Sequence, residues 1–307
     1  MRKTAKHVFA DILKAYSKPM QEDIFINPLY VIDGGYLLHH VEWPSNSTYE
    51  DIIDTYTLYV CRYYGDESCV CFDGYGEGRK STKWAEQSRR AGKNTAPDIL
   101  FDLEMPLTCA KKDFLANKKN TTRLISFLKT SLCSKGMQCK QATADADYLI
   151  CDSAIKFAEE HQHRPVVVVG NDTDLQVIIT DRCCPNLFLK FNYNVIYNIQ
   201  CIKDDRVSEH LLVARAITGC DTVSALHGVG KRAPIRELKT QDCTFLEIFK
   251  SECATHDETA RPGEKFLLRI YRAKETCKSL DNWRHVAYLR FMKRKRITSL
   301  QTSYLST

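Results

Sequence analysis

The sequence predicts an α/β fold in which a twisted, largely parallel sheet is flanked by helices. Three features of the chain point there. The first is a run of four valines, residues 166–169, a β-branched stretch suited to a central strand covered on both faces. The second is that two other apolar runs, "LYVID" (29–33) and "CVCFD" (69–73), end alike, on an aspartate followed by glycine. The third is that segments with helical spacing lie between these runs, the alternation from which parallel sheets are built.

From the N-terminus, "MRKTAKHVFADILKAYSKP" reads as an amphipathic helix within residues 1–24. Its apolar stretch is broken by Asp11 and Lys14, which argues against a signal peptide. "LYVIDGGYLLH" (29–39) is a buried strand ending at Asp33, then a Gly-Gly turn into a helix. Residues 49–63 place Ile52, Ile53, Tyr56, Tyr59, Val60 and Tyr63 at helical spacing, a stripe for the core. "SCVCFDGYG" (68–76) is a second strand ending in Asp73. Residues 77–140 are polar and basic, with few strand signals, and read as helices and mobile loop. Residues 142–160 read as a helix with Asp145 and Asp147 in its first turn, where the dipole favours negative charge. The valine strand ends in Gly170-Asn171 turn chemistry and runs into Asp172 and Asp174. Two short strands come next, around an Asn-rich turn (186–199). Residues 208–238 form a helix, a glycine turn, Asp221, and a helix–turn–helix about "GVGK". Helices and a basic tail end the chain.

A hydrophobic content of 44% and a charged content of 27% describe a globular chain, and no apolar run approaches the roughly 20 residues of a membrane helix. The fourteen cysteines include no C-x-x-C pair, and Cys69, Cys71 and Cys151 lie in apolar segments, so reduced thiols inside the cell are expected rather than a disulfide or zinc framework. The net charge of +6 is unevenly spread. Residues 76–140 carry a local +8 and residues 261–307 a local +9, leaving −11 for the rest. Two basic segments flanking an acidic body suit a protein that holds cations centrally and grips phosphates peripherally, although solvated helix faces account for basic segments equally well.

Strand ends in an open parallel sheet line up along one edge, where ligands bind. Asp33, Asp73 and the pair Asp172/Asp174 all stand at such ends, and Asp145, Asp147 and Asp221 are placed to join them. Seven carboxylates on one rim would raise each other's pKa unless cations neutralised them, and hard oxygen ligands suit Mg²⁺ or Mn²⁺. Two such ions roughly 4 Å apart can activate water and stabilise the leaving oxygen of a phosphodiester. The plain alternative is that each aspartate caps a turn or a helix.

On these residues the chain resembles the flap-endonuclease-like nucleases, a structure-specific branch of the PIN-like fold. "VIDGGYLLH" is similar to the family's first aspartate strand. "CFDGYGEGRKSTKWAEQSRR" is similar to its second and to the basic helix beyond it, with Lys80, Lys83, Arg89 and Arg90. "ATADADYLI" stands where the family has two glutamates, "GNDTD" matches its paired aspartates, and "ITGCDT" carries its last one. "GVGKRAPIREL" resembles the glycine turn and second helix of its helix–two-turn–helix, which implies that Gly228, Gly230, Lys231 and Arg232 face a duplex backbone.

The resemblance covers residues 25–240. It implies an arch or cap at 76–140, a helix–two-turn–helix at 217–240 and a basic helical extension at 241–307. It further implies a monomeric nuclease that takes two Mg²⁺ ions, or Mn²⁺ in their place, on the seven aspartates. Lys80 would stand against the scissile phosphate, and the partner would be branched or single-strand-containing DNA, with RNA as the alternative and no membrane. Three departures stand out: aspartates replace both glutamates, Gln87 occupies the place of a second basic residue, and no glycine follows Met1. The tail "RFMKRKR" (290–296) reads as a nuclear import signal or a phosphate-binding arm.

Overall fold

The valine run is the fourth of seven strands in a single sheet, the most sheltered position available. The computed structural model describes residues 18–21, 24–74, 96–182, 184–191, 195–198, 206–220, 223, 226–230 and 232–304. Residues 1–17, 22 and 23 of the expected N-terminal helix lie outside them, as do residues 76–95 of the expected arch, and the described end of that helix is instead a strand at Lys18–Met20. The chain divides into a sheet-bearing unit within residues 6–204 and a helical unit from residue 205 onward.

In the first unit β2 (Leu29–Asp33) pairs in parallel with β5 (Val166–Val169) on one side and β3 (Cys69–Phe72) on the other. β4 (Gln138–Gln141) extends the parallel sheet beyond β3, and β6 (Leu187–Lys190) extends it beyond β5. β7 (Ile196–Asn198) returns antiparallel to β6, and β1 (Lys18–Met20) lies antiparallel to β7. The order is β1-β7-β6-β5-β2-β3-β4. The expected α/β class with a largely parallel sheet is what the structure has.

Strand alternation sorts the core into two layers. Tyr30, Ile32, Val70, Phe72, Val167 and Val169 join the buried faces of α1 (Gly34–His40), α2 (Tyr49–Tyr64), α3 (Lys111–Ala116) and α4 (Lys118–Ser134). Leu29, Val31, Cys69, Cys71, Val166 and Val168 join those of α5 (Asp147–Glu160) and α6 (Thr173–Arg182). A strand covered on both sides needs no polar face, and this is why β5 tolerates four valines in a row.

The parallel part of the sheet starts at β2, winds outward to β3 and β4, then crosses to β5 and β6 on the other side of β2. Winding direction therefore reverses between β2 and β5. A crevice outside the carboxyl ends of the strands is expected at such a reversal.

Four expectations are corrected. The helix read over 142–160 begins only at Asp147, so Asp145 precedes it in a loop. The stretch 77–140, read as helices and mobile loop with few strand signals, contains β4, and it is not an arch throughout. The apolar side of α4 (Leu124, Ile125, Leu128 and Leu132) is buried in the core, which leaves only the earlier part of 76–140 for such a role. Finally, the buried stripe of α2 runs through Tyr49, Ile52, Tyr56, Val60 and Tyr64, while Tyr63 is 53% exposed. One residue of helical phase separates Tyr63 from Tyr64, and α2's core contacts select the latter.

The helical unit holds α7 (Arg206–Thr218), α8 (Arg232–Thr240), a 3₁₀ turn (Thr244–Lys250), α9 (His256–Ile270) and α10 (Leu280–Tyr304). Thr255 and Glu258 form a reciprocal capping box at the start of α9. Among the described residues no disulfide joins cysteines, and no helix is long and apolar enough to cross a membrane.

Candidate functional site

Asp33 occupies the reversal point itself. It ends β2 and caps α1, its Oδ1 accepting hydrogen bonds from the N–H groups of Gly35 (2.8 Å) and Tyr36 (3.2 Å). The two glycines after it are a packing requirement. A Cβ on Gly34 would stand 2.4 Å from a ring carbon of Phe72 and 2.8 Å from the Cys71 carbonyl oxygen, so only glycine lets α1 start this close to β3. A Cβ on Gly35 would stand 3.2 Å from Asp33 Oδ1 and 3.8 Å from Asp73 Oδ2, partly filling the space beside the two carboxylates.

Asp73 comes directly after β3, whose Cys71 is in register with Asp33. Its Oδ1 accepts from the N–H of Ala146 at 2.9 Å, while Gly74 N–H donates to the Ala144 carbonyl at 2.7 Å. These two bonds tie the loop carrying Asp145 to the end of β3. Asp145 is exposed there, and its own Oδ1 accepts from the Asp147 N–H at 3.2 Å.

Beyond β5, a Cβ on Gly170 would lie 3.2 Å from Asp33 Cβ, so the end of β5 abuts the first aspartate. Asp172 then opens α6. Its Oδ1 accepts from Asp174 N–H at 2.8 Å and its carbonyl from Gln176 N–H at 3.2 Å. The capping role weighed for Asp172 is therefore real, and it also fixes the orientation of the carboxylate. Asp147 and Asp174 sit half-buried in the first turns of α5 and α6.

The electrostatics tie three of these groups together. Burial pushes the Asp33 carboxyl up to about 6, the N–H groups of Tyr36 and Gly35 pull the other way, and the charges of Asp73 and Asp172 add to the rise. Two aspartates that are distant in sequence thus act on a third, Asp33, at one sheet edge. Their donor set is carboxylate oxygen alone, which suits a hard divalent ion, and Gly35 leaves room beside it. Among the described residues, however, no three His, Cys, Asp or Glu side chains close around one point as metal ligands. The residues fit such an ion in donor chemistry and in room, without being drawn into a cage.

Of the other expected site residues, Lys80, Lys83, Arg89, Arg90, Asp221 and Lys231 lie outside the described residues. Gly228, Gly230 and Arg232 belong to the helical unit. Gly228 has φ +73°, a left-handed turn residue. Among the described residues nothing lies within 4 Å of a Cβ built on Gly230, and Arg232 is exposed at the start of α8. Sequence reasoning missed the packing roles of Gly34, Gly74 and Gly170. The signal was present in the glycine that directly follows Asp33, Asp73 and the valine strand.

No family model and no curated protein matches the chain. Solved structures do. The catalytic core of Rad2 in complex with a DNA substrate is 13% identical, with 87% of this chain and 78% of that one covered at a TM-score of 0.49. The flap endonuclease of bacteriophage T5, in a pseudo-enzyme–product complex with DNA and metal ions, is 14% identical, with 79% and 87% covered at 0.45. Human GEN1 in complex with Holliday junction DNA is 12% identical, with 94% and 65% covered at 0.45.

Proposed function

We propose that this protein is a divalent-cation-dependent nuclease that hydrolyses phosphodiester bonds in branched or single-strand-containing nucleic acid, DNA foremost. The observation that carries the reading is that Asp73 and Asp172 both act on Asp33 at the strand-order reversal, where burial and then their charges push its carboxyl up to about 6. Such repulsion destabilises the folded chain unless a cation offsets it.

Asp33, Asp73 and Asp172 would hold the ions, two of them in the full reading, with Asp145, Asp147, Asp174 and Asp221 completing the set. Mg²⁺ or Mn²⁺, when bound, supplies a hydroxide at neutral pH and offsets charge on the scissile phosphate. The chain's own contribution is placement. N–H groups of Gly35, Tyr36, Ala146 and Asp174 fix the carboxylates of Asp33, Asp73 and Asp172, so little reorganisation is left for the reaction. Lys80 would add positive charge against the phosphate. The turn about Gly228 and Gly230, with Lys231 and Arg232, would hold a duplex backbone through N–H groups and charge. In this reading the basic run 290–296 directs the protein to the nucleus.

A second reading, a nucleic-acid-binding protein without activity, has one observation in its favour: no three acids form a closed ligand set among the described residues. Cleavage decides between them. Purified protein with Mg²⁺ or Mn²⁺ is expected to cut a 5′-flap DNA faster than plain duplex. Asp73→Asn is expected to lower the rate more than about 100-fold, beyond the cost of losing an outer partner of a metal ligand, while binding persists. Wild-type protein that binds branched, duplex and single-stranded DNA and RNA but cuts none with either ion would establish the second reading.

A further inference from the structure

The helical unit holds a cavity of about 220 Å³ at the start of α7 and the far end of α8. It lies about 13 Å along α8 from Gly230, away from the turn assigned to a duplex backbone. Its rim is polar and exposed: Arg206 and Glu209 from α7, and Gln241, Asp242 and Thr244 after α8. Leu238 and the buried Cys243 give it a small apolar wall.

His210 is among the residues that line it. This residue is 4% exposed, and neither ring nitrogen has a hydrogen-bond partner among the described residues. A buried imidazole left in this way is costly, and a neutral one offers one donor and one acceptor. Turning the ring toward the cavity would break no hydrogen bond present among the described residues. The volume exceeds the share of several water molecules, each about 30 Å³.

The rim carries both signs of charge. Arg206 brings a guanidinium whose fork matches a carboxylate, and Glu209 brings a carboxylate one helical turn away. Asp242 is committed elsewhere. Its carboxyl is held below the usual range by bonds from the Thr244 backbone and side chain, with help from the charges of Arg269 and Lys265. An anion alone would lie beside the like charge of Glu209, and a cation alone beside that of Arg206.

We infer that this cavity binds a small zwitterion of the α-amino-acid class. The carboxylate of the ligand would pair with Arg206, its ammonium group with Glu209, and a short polar side chain with His210. Leu238 leaves little apolar wall, which disfavours large aliphatic side chains.

The test is thermal unfolding and calorimetric titration of the full chain with L-serine and L-glutamine, using acetate and methylammonium chloride as single-charge probes. The inference expects a saturable rise in Tm of about 3 °C or more with at least one of the amino acids and none with the single-charge probes. It also expects at least a tenfold weaker response in both Arg206→Gln and Glu209→Gln, whose exposed positions let them fold normally. Absence of any shift in wild type would overturn it, as would an equal shift in both variants. So would a wild-type cavity that stays unresponsive while His210→Leu raises Tm, the behaviour of a pocket that holds only water.

Discussion

The acidic edge of the sheet and the glycine turn of the helical unit are built on opposite terms. At the edge, every atom near Asp33 is constrained. Gly34 has no room for a methyl group, Asp33 accepts two backbone hydrogen bonds, and burial lifts its pKa. At the turn, a Cβ on Gly228 or Gly230 would meet nothing among the described residues, and Arg232 is exposed. A centre that fixes ions needs side chains over-determined by packing, whereas a surface that grips phosphate needs only exposed N–H groups and charge. Substitution should therefore affect folding stability at the edge and binding alone at Gly230 and Arg232, whereas Gly228, at φ +73°, would be strained by any side chain.

The largest effect is expected at Asp33 in metal-free protein. Its folded pKa is raised, from 3.8 to about 6, so the folded state binds more protons than the unfolded state between these values. Stability therefore falls as pH rises through that window, and the loss is complete above it, at about 3 kcal/mol. Asn keeps the capping geometry without the charge. Asp33→Asn is expected to stabilise metal-free protein at pH 7.5 and to have no such effect near pH 3.5. Urea unfolding at both values checks this, and a pH-independent difference would sever the link between burial, repulsion and the site.

A smaller effect separates the two regions directly. Gly34→Ala forces a methyl group into Phe72 and the Cys71 carbonyl and is expected to cost about 1–3 kcal/mol. Gly230→Ala meets open space and is expected to stay within about 0.5 kcal/mol of wild type. Equal costs in denaturant melts would remove the contrast.

The smallest effect concerns charge at the turn. Arg232→Gln is expected to weaken DNA binding across sequences and to reduce the slope of log K against log salt by about 1, with stability unchanged. A slope equal to wild type would take Arg232 out of the phosphate contact.

Legibility in the sequence divides along the same line. The central strands were readable because burial on both faces leaves only apolar residues, as in Val166–Val169, and the aspartates that end them stand out against that background. The sheet's edges were not. β4 is "QCKQ" and β1 is "KPM", short and polar because one side of an edge strand faces solvent rather than another strand. Helices were expected in the basic stretch that holds α4, but its place in the core was not read, because its first turn is lysine-rich and its apolar stripe lies further along. Asp145 was placed one turn too early into α5, since acids before a helix and acids in its first turn look alike in sequence. Proximity among Asp33, Asp73 and Asp172 could be expected from strand ends alone. The glycines that make room for it became evident only with backbone positions.

Everything proposed for the sheet edge rests on its aspartates holding divalent cations. Titrating metal-free protein with Mn²⁺, with bound ion counted by its paramagnetic resonance signal, puts that to the test. Wild type is expected to bind ions saturably and to gain melting temperature as it does so, because an ion that binds only the folded state stabilises it. Asp172→Asn/Asp174→Asn should lose most of both responses. Equal binding and an equal gain in the double variant would contradict the assignment.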